Sequence, residues 1–326
     1  MAVVAALAVG GTLLVGASRS ADSFSASASV APLPAFAFEQ ELIDRTTDQT
    51  YNPNQEFIFP SVFHAGKYFP EPLAEWYLYY APHDVPGGIS LMYSDSLDGP
   101  WTPFSENPII TNEWDGQYSV SHVSSPDALW NAGEGQMFLY FHGENDVTRF
   151  ATTHDGIHFE YGAAAVSAEM VGDDITEVSY ARVFDNPDRT STDRYAMFFM
   201  TNETSGIRRI HVARSVDGRT WRPDTSPLIN PGEMEGENVS SADLWSYQGR
   251  RYVAYGASSG SVLVRDVNEA LDAVGKPAKL YVPDQAAPES GRATSPDLVA
   301  DESGRWHLFL EVGQRSTTTI AEALSR

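Results

Sequence analysis

The chain has 326 residues, with 44 acidic against 21 basic side chains and a formal net charge of −23. This charge repels the phosphates of nucleic acids and anionic lipid surfaces, so neither is expected as a partner. The absence of cysteine excludes disulfides, thiolate metal sites and thiol nucleophiles.

The N-terminal segment is apolar from Ala2 to Ala17 and continues into a stretch rich in Ser, Ala and Pro that ends at Pro34. This pattern is typical of a signal peptide, but basic residues before the apolar core are missing, so a short membrane anchor is the alternative. We therefore assign residues 1–35 to a signal peptide or anchor plus linker, and residues 36–326 to one folded domain. The protein is expected to be secreted or held at the cell surface, with no other membrane contact.

The rest of the chain contains five similar segments, which indicate a repeat architecture. Each opens with a short apolar strand around a motif related to Ser-Pro-Asp, and each continues after a turn into an aromatic-rich strand. The opening motifs lie at residues 59–62, 125–128, 179–182, 241–244 and 295–298. The aromatic-rich strands lie at residues 76–80, 137–141, 195–199, 252–255 and 306–310.

Three segments share a third feature, an Asp-Gly pair followed by an aromatic residue, at residues 98–101, 155–159 and 217–221. Asp-Gly supplies the positive φ of a tight hairpin, and the aromatic residue is expected to pack between repeats. Five sheets arranged radially bury their faces against one another and leave short edges. The sequence therefore predicts an all-β, five-bladed β-propeller in which residues 36–43 supply the outer strand of the last blade. A β-sandwich is the alternative.

Acidic residues recur where the innermost strands of a propeller converge on its axis. Asp127, Asp243 and Asp297 occupy the same repeat position, and Glu177 precedes the equivalent strand of the third segment. Carboxylates gathered in a cleft push their pKa values apart, as an acid/base pair requires. These four residues are the predicted catalytic groups. In the alternative interpretation, each aspartate is structural and accepts backbone N–H groups.

Other polar and aromatic residues flank the same strands and are predicted to bind substrate. They are His83, Asp84, Trp114, Tyr118, His122, His142, Glu144, Arg149 and Arg182. Aromatic faces stack on sugar rings, while polar groups bind the sugar hydroxyls. The histidines lack the short spacing of zinc motifs, so no catalytic metal or cofactor is predicted; a structural calcium or sodium ion in the axial channel is the alternative.

Three features carry a resemblance to a known family: the Ser-Pro-Asp motif that ends at Asp127, Glu177 before an apolar strand, and the Tyr-Leu-Tyr-Tyr run at residues 77–80. From Phe57 to the C-terminus the chain resembles glycoside hydrolase family 43 and its relatives, through the repeat pattern more than through an invariant motif. The resemblance implies a propeller hydrolase in which Glu177 is the general acid and Asp127 orients it and tunes its pKa.

The chain departs from that family in two places. Phe59 stands where the family has its aspartate base, and Glu177 is followed by Val178 and Ser179 instead of Gly-Pro. The chain therefore resembles a divergent relative, and its base is expected from Asp84, Asp243, Asp297 or a histidine.

The expected function is hydrolysis of a glycosidic bond in an oligo- or polysaccharide by a monomeric enzyme. One alternative is a polysaccharide lyase or glycoside phosphorylase, in which the histidines and arginines bind an anionic group of the substrate. The other is a non-catalytic carbohydrate-binding propeller, because a fold by itself implies no chemistry.

Overall fold

The computed structural model describes residues 32–43, 55–83 and 85–326. The predicted signal peptide or anchor, at residues 1–31, and Asp84 lie outside these ranges. In the described ranges the chain forms 22 strands and two single-turn helices, α1 (Ala65–Tyr68) and α2 (Ala168–Val171). No helix in this part of the chain is long and apolar enough to cross a membrane.

Five antiparallel four-stranded sheets form the blades, and the first strand in the chain, β1 (Phe36–Glu41), belongs to the last of them. Blade one contains β2 (Ile58–Phe63), β3 (Trp76–Ala81), β4 (Ser90–Ser94) and β5 (Thr102–Pro103). A short hairpin of β6 (Glu113–Trp114) and β7 (Tyr118–Ser119) leads to blade two, which contains β8 (Val123–Asn131), β9 (Gln136–Gly143), β10 (Val147–Thr153) and β11 (Glu160–Ser167).

The remaining blades repeat this order. Blade three contains β12 (Ile175–Asp185), β13 (Tyr195–Glu203), β14 (Arg208–Ser215) and β15 (Arg222–Pro223). Blade four contains β16 (Val239–Tyr247), β17 (Arg250–Ala257), β18 (Val262–Asp266) and β19 (Ala278–Tyr281). Blade five contains β20 (Ala293–Ala300), β21 (Trp306–Val312) and β22 (Thr319–Ser325), with β1 outermost. The predicted all-β, five-bladed propeller is confirmed.

The ring closes through β1. This strand pairs antiparallel with β22, from Phe36 opposite Ser325 to Glu41 opposite Ala321. Phe36 and Phe38 pack on the apolar core shared by blades four and five. The outer strand predicted at residues 36–43 is therefore present, and it covers an edge of β22 that would otherwise be open to other chains.

Each innermost strand contains a β-bulge at its Ser-Pro-Asp-like motif. One residue of every bulge has a φ between 52° and 54°, and the pairing register shifts there. These bulge residues are Phe59, Ser125, Tyr180, Ser241 and Ser295. The sequence repeat thus marks a backbone feature common to all blades, and it turns the side chain two positions later toward neighbouring blades.

The Asp-Gly turns join neighbouring blades. The hydroxyl of Tyr79 in blade one donates to the carbonyl of Gly156 at 2.8 Å, and the hydroxyl of Tyr140 in blade two donates to the carbonyl of Gly218 at 2.6 Å. Both glycines have a φ of 78°, as the predicted hairpins require. Trp221 packs edge-on against Tyr140 at 5.9 Å between ring centroids, so the predicted packing of the following aromatic between blades is confirmed there.

Candidate active site at the propeller mouth

A polar cavity of about 440 Å³ opens where β2, β8 and β12 begin. Blades one, two, three and five contribute to its wall. Its described polar side chains are His83, His122, Ser124, His142, Asn145, Glu177, Tyr180, Arg208 and Arg315. The structure thus brings together Glu177 and all three histidines predicted from the sequence.

Glu177 is the only carboxylate among the described residues that line the cavity. Its side chain is buried, with one carboxylate oxygen accepting a hydrogen bond from Ser179 Oγ at 2.8 Å. The other oxygen lies 3.5 Å from Asn202 Nδ2 and 3.8 Å from the guanidinium of Arg208. Polar neighbours therefore orient the carboxyl group at the border of a cavity, where it can exchange a proton with a bound ligand.

His122 and His142 meet edge to face, with ring centroids 5.5 Å apart. The His122 ring lies 2.9 Å from Ser121 Oγ through Nδ1 and 3.2 Å from Asn145 Oδ1 through Nε2. His142 is buried, and its Nδ1 has no hydrogen-bond partner in the described structure. Burial lowers the pKa of both rings, that of His142 to about 3. Both imidazoles are therefore neutral near pH 7, where each offers one donor and one acceptor.

An apolar side chain, that of Phe59, occupies the position at which glycoside hydrolase family 43 has its aspartate base. Phe59 is fully buried, its ring centroid lies 5.4 Å from that of Tyr180, and the guanidinium of Arg182 lies 4.1 Å above it. Tyr180 lines the cavity, and burial raises the pKa of its phenol to about 12. None of the described carboxylates stands at this place, in agreement with the departure predicted from the sequence.

The three repeat aspartates do not line this cavity. Asp127 is buried near the axis, whereas Asp243 and Asp297 are half-buried. Each accepts a backbone N–H from the next blade: Asp127 from Val183 at 2.7 Å, Asp243 from Leu298 at 3.4 Å and Asp297 from Val62 at 2.6 Å. Ser61 makes the equivalent bond to Ala128 N at 3.1 Å. We call Ser61, Asp127, Asp243 and Asp297 the axial ring. The geometry gives it a structural role, and catalysis by its aspartates stays a prediction.

Arg182 takes the equivalent position in blade three and lies on the axis, away from the cavity wall. Its guanidinium donates to Asp127 at 3.1 Å and to the carbonyl of Pro60 at 2.6 Å. Arg182 thus links blades one, two and three, and its predicted contact with substrate stays a prediction. Burial raises the pKa of all three axial aspartates, that of Asp127 to about 6.

Five further predicted substrate contacts lie elsewhere or are not described. The guanidinium of Arg149 donates to the carbonyls of Gly143 and Val147, inside its own hairpin. Trp114 in β6 and Tyr118 in β7 pack on Tyr161 and line a separate surface pocket. Glu144 is exposed in the turn between β9 and β10, and Asp84 lies outside the described residues.

Arg208 and Arg315 line the cavity but were not predicted. Arg208 begins β14, and Arg315 lies in the loop between β21 and β22. Neither belongs to a repeated motif, so only the packing of the blades reveals them. The position of Asn145 at the cavity could have been inferred, since it follows the predicted Glu144 in the turn after β9.

One described group of side chains could hold a metal ion by its spacing. Asp98, His307 and Glu322 lie together where blade one meets blade five. Arg305 already donates to both carboxylate oxygens of Asp98, at 2.6 and 2.9 Å. The axial aspartates form no such group in the described structure, and a calcium or sodium ion in the channel stays a prediction.

Neither a protein-family model nor a curated protein sequence matches the chain. Solved structures match it over nearly its whole length. The BT0996 RGII complex has a TM-score of 0.67 at 16% identity, over 90% of this protein and 92% of that one. A thermostable family-43 glycoside hydrolase has a TM-score of 0.59 at 12% identity, over 82% and 88% of the two proteins.

A third match comes from the GH130 family of mannoside phosphorylases, which contains glycoside hydrolases that target β-1,2 mannosidic linkages in Candida mannan. Its TM-score is 0.66 at 12% identity, over 91% of this protein and 95% of that one. At these identities the similarity concerns the fold. The chain thus has the β-propeller fold of glycoside hydrolases similar to family 43 and GH130, in a divergent form. The fold and the likeness to family 43 were predicted from the sequence, whereas the likeness to GH130 was not.

Proposed function

We propose that the chain is a glycoside hydrolase in which Glu177 protonates the leaving oxygen of a glycosidic bond. One observation carries the proposal: Glu177 is the sole described carboxylate on the wall of the polar cavity at the propeller mouth. Solved structures with the same fold include glycoside hydrolases, which supports the proposal by analogy only. Ser179 and Asn202 donate hydrogen bonds that orient the carboxyl group.

In this reaction the proton of Glu177 moves to the glycosidic oxygen as its bond to the anomeric carbon breaks. A water molecule attacks that carbon and gives its proton to a base, so one water is consumed and two sugar hydroxyls are formed. A base acting on water requires a carboxylate about 6.5–9.5 Å from Glu177, whereas a nucleophile would lie at about 5 Å.

Asp84 is our candidate for the base. Its neighbours in the sequence, His83 and Val85, both line the cavity. The axial aspartates are engaged with the backbone of adjacent blades, which disfavours them for this role.

The natural substrate is proposed to be an oligo- or polysaccharide met outside the cell. The support is the signal-like N-terminal segment, together with the fact that sugar polymers are degraded where they occur. We propose that the enzyme acts as a monomer.

The test is release of reducing sugar from a panel of polysaccharides and aryl glycosides. We expect Glu177→Gln to lower kcat about 10²- to 10⁴-fold, the usual contribution of a general acid. Asp84→Asn is expected to lower it similarly. Glu169→Gln changes an exposed carboxylate in α2 and serves as the matched control. A wild-type protein that cleaves no glycoside, or a Glu177→Gln variant at full rate, would contradict the proposal.

A carbohydrate-binding propeller without turnover is the second candidate. It is favoured by Phe59, which fills the place of the family base. In that case calorimetry would detect binding of an oligosaccharide that is never cleaved, and Glu177→Gln would weaken the binding.

A further inference from the structure

The cavity differs in charge from the rest of the molecule. The chain has more than twice as many acidic as basic residues, 44 against 21. The described cavity wall nevertheless combines two guanidinium groups, those of Arg208 and Arg315, with one carboxylate, that of Glu177. Even with the proposed base Asp84 as a second carboxylate, the two guanidinium groups balance the charge of this wall, so anionic ligands are favoured here over the remaining acidic surface.

The two guanidinium groups differ from most others in the described structure in what they contact. Most described arginines elsewhere hydrogen-bond a carboxylate, as Arg214 does with Asp224, Arg219 with Glu134 and Arg265 with Glu235. The Arg208 guanidinium lies 3.8 Å from Glu177, beyond hydrogen-bond distance. The Arg315 guanidinium lies 3.2 Å from Nδ1 of the His83 ring.

The histidines of the wall add hydrogen-bond donors without adding negative charge. His122 and His142 are neutral near pH 7, because burial lowers the pKa of both rings. The His142 side chain is almost fully buried, and its Nδ1 is left without a hydrogen-bond partner in the described structure. A buried polar atom beside a cavity is satisfied at low cost when a ligand supplies its partner.

We propose that Arg208 and Arg315 form an oxyanion subsite, which binds either the carboxylate of an acidic sugar residue or inorganic phosphate. The planar fork of a guanidinium matches both groups, each of which accepts two parallel N–H bonds. The inference rests on the proposed function, because Arg208 and Arg315 line the same cavity as Glu177 and would bind part of the same substrate. It goes beyond that function, since a hydrolase of neutral sugars needs no such subsite.

The test is calorimetric binding to the full chain. The ligands are glucuronic and galacturonic acid, the matched neutral sugars glucose and galactose, and inorganic phosphate. We expect at least one anion to bind, and any neutral sugar to bind at least about tenfold more weakly than its acid. Arg208→Gln and Arg315→Gln should each weaken anion binding about 10- to 100-fold, the usual effect of losing a charged hydrogen bond.

Arg189→Gln is the matched control. It removes the same charge from an exposed loop beyond the other end of β12, and it should leave anion binding unchanged. Arg208→Lys keeps the charge without the fork and should fall between wild type and Arg208→Gln. Thermal unfolding of every variant identifies any loss of binding that is caused by loss of the fold.

The outcomes separate this inference from the proposed function. Binding of an acidic sugar and not of phosphate identifies a sugar carboxylate as the ligand, and the reverse identifies phosphate. Anion binding that persists in Glu177→Gln, without turnover by wild type, supports the subsite and contradicts the hydrolase. Cleavage of neutral glycosides without anion binding supports the hydrolase and contradicts the subsite. The inference is overturned if no anion binds at millimolar concentration, or if the arginine variants bind as tightly as wild type.

Discussion

Asp127 of blade two belongs to the axial ring, where its carboxylate contacts blade three and accepts a hydrogen bond from Ser61 Oγ of blade one at 3.4 Å. One oxygen accepts the Val183 N–H at 2.7 Å, and the other accepts the Arg182 guanidinium at 3.1 Å. Burial nevertheless raises its pKa to about 6, because desolvation of the charged form outweighs these contacts. In the unfolded chain the pKa of the same group is about 3.9.

This difference makes stability depend on pH in a defined direction. Between about pH 4 and pH 6 the folded state binds a proton at Asp127 that the unfolded state does not bind, so stability falls as pH rises through this window. From pH 5 to pH 7.5 the contribution of this group decreases by about 1–2 kcal/mol. Asp127→Asn does not titrate, and its amide oxygen can still accept the Val183 N–H. We therefore expect a smaller decrease in the free energy of unfolding in this variant, measured by urea denaturation at both pH values.

The same variant separates a structural from a catalytic role. If Asp127 acts only in the axial ring, kcat of Asp127→Asn stays within about tenfold of wild type. This loss is much smaller than the one expected for Glu177→Gln. Asp243 titrates in both proteins, and removal of the Asp127 charge takes away one cause of its raised pKa, so its contribution changes the pH dependence in the same direction. An unchanged pH dependence together with a catalytic loss as large as that of Glu177→Gln would return Asp127 to the chemistry.

The closing strand β1 connects sequence ends that are far apart. Beyond its pairing with β22, Gln40 Nε2 donates to Glu322 at 2.7 Å and to the carbonyl of Asp98 at 2.9 Å. Phe36 also packs against Trp245, with ring centroids 6.4 Å apart. One strand thus contacts blades one, four and five, and stabilises the ring by closing it.

Removal of residues 1–41 should therefore open the propeller. The loss of the contacts of the half-buried Phe36 and Phe38 alone costs about 1–3 kcal/mol, and the exposed edge of β22 favours aggregation. We expect a marked decrease in Tm and a shift to oligomers in size-exclusion chromatography. The matched control lacks residues 1–32 and keeps β1. Equal Tm values and monomeric profiles for the two truncations would contradict the role of β1 in closing the ring.

The elements were more predictable than the site they build. The Asp-Gly pairs predicted hairpins, because local backbone requirements leave local residue patterns. The closing strand was predicted at residues 36–43, within which β1 lies. The Ser-Pro-Asp repeat reports a bulge common to all blades, so the aspartates within it were poor guides to catalysis. Glu177 and the histidines stood out as polar residues at the ends of apolar strands. Arg208 and Arg315 reach the cavity from blades three and five, a convergence that only tertiary packing creates.

At the scale of the whole molecule, the net charge of −23 acts against the compact state. Like charges repel one another over distances comparable to the Debye length, which is about 30 Å at 0.01 M salt and about 3 Å at 1 M. Salt also weakens surface ion pairs such as Arg251 with Glu269, but an exposed pair contributes only about 0–1 kcal/mol. Because acidic residues outnumber basic ones by about two to one, relief of repulsion should outweigh the loss of such pairs.

We therefore expect Tm to rise as NaCl increases from about 10 mM to about 0.5 M, in the range where the Debye length shortens most. Calcium chloride at equal ionic strength is the control for specific binding. Screening alone gives similar shifts with both salts, whereas a bound calcium ion adds stability that saturates with its concentration. A variant with Asp98→Asn and Glu322→Gln would then identify whether that ion lies between blades one and five. A Tm that falls with NaCl would mean that ion pairs, and not net repulsion, dominate the electrostatic energy of this propeller.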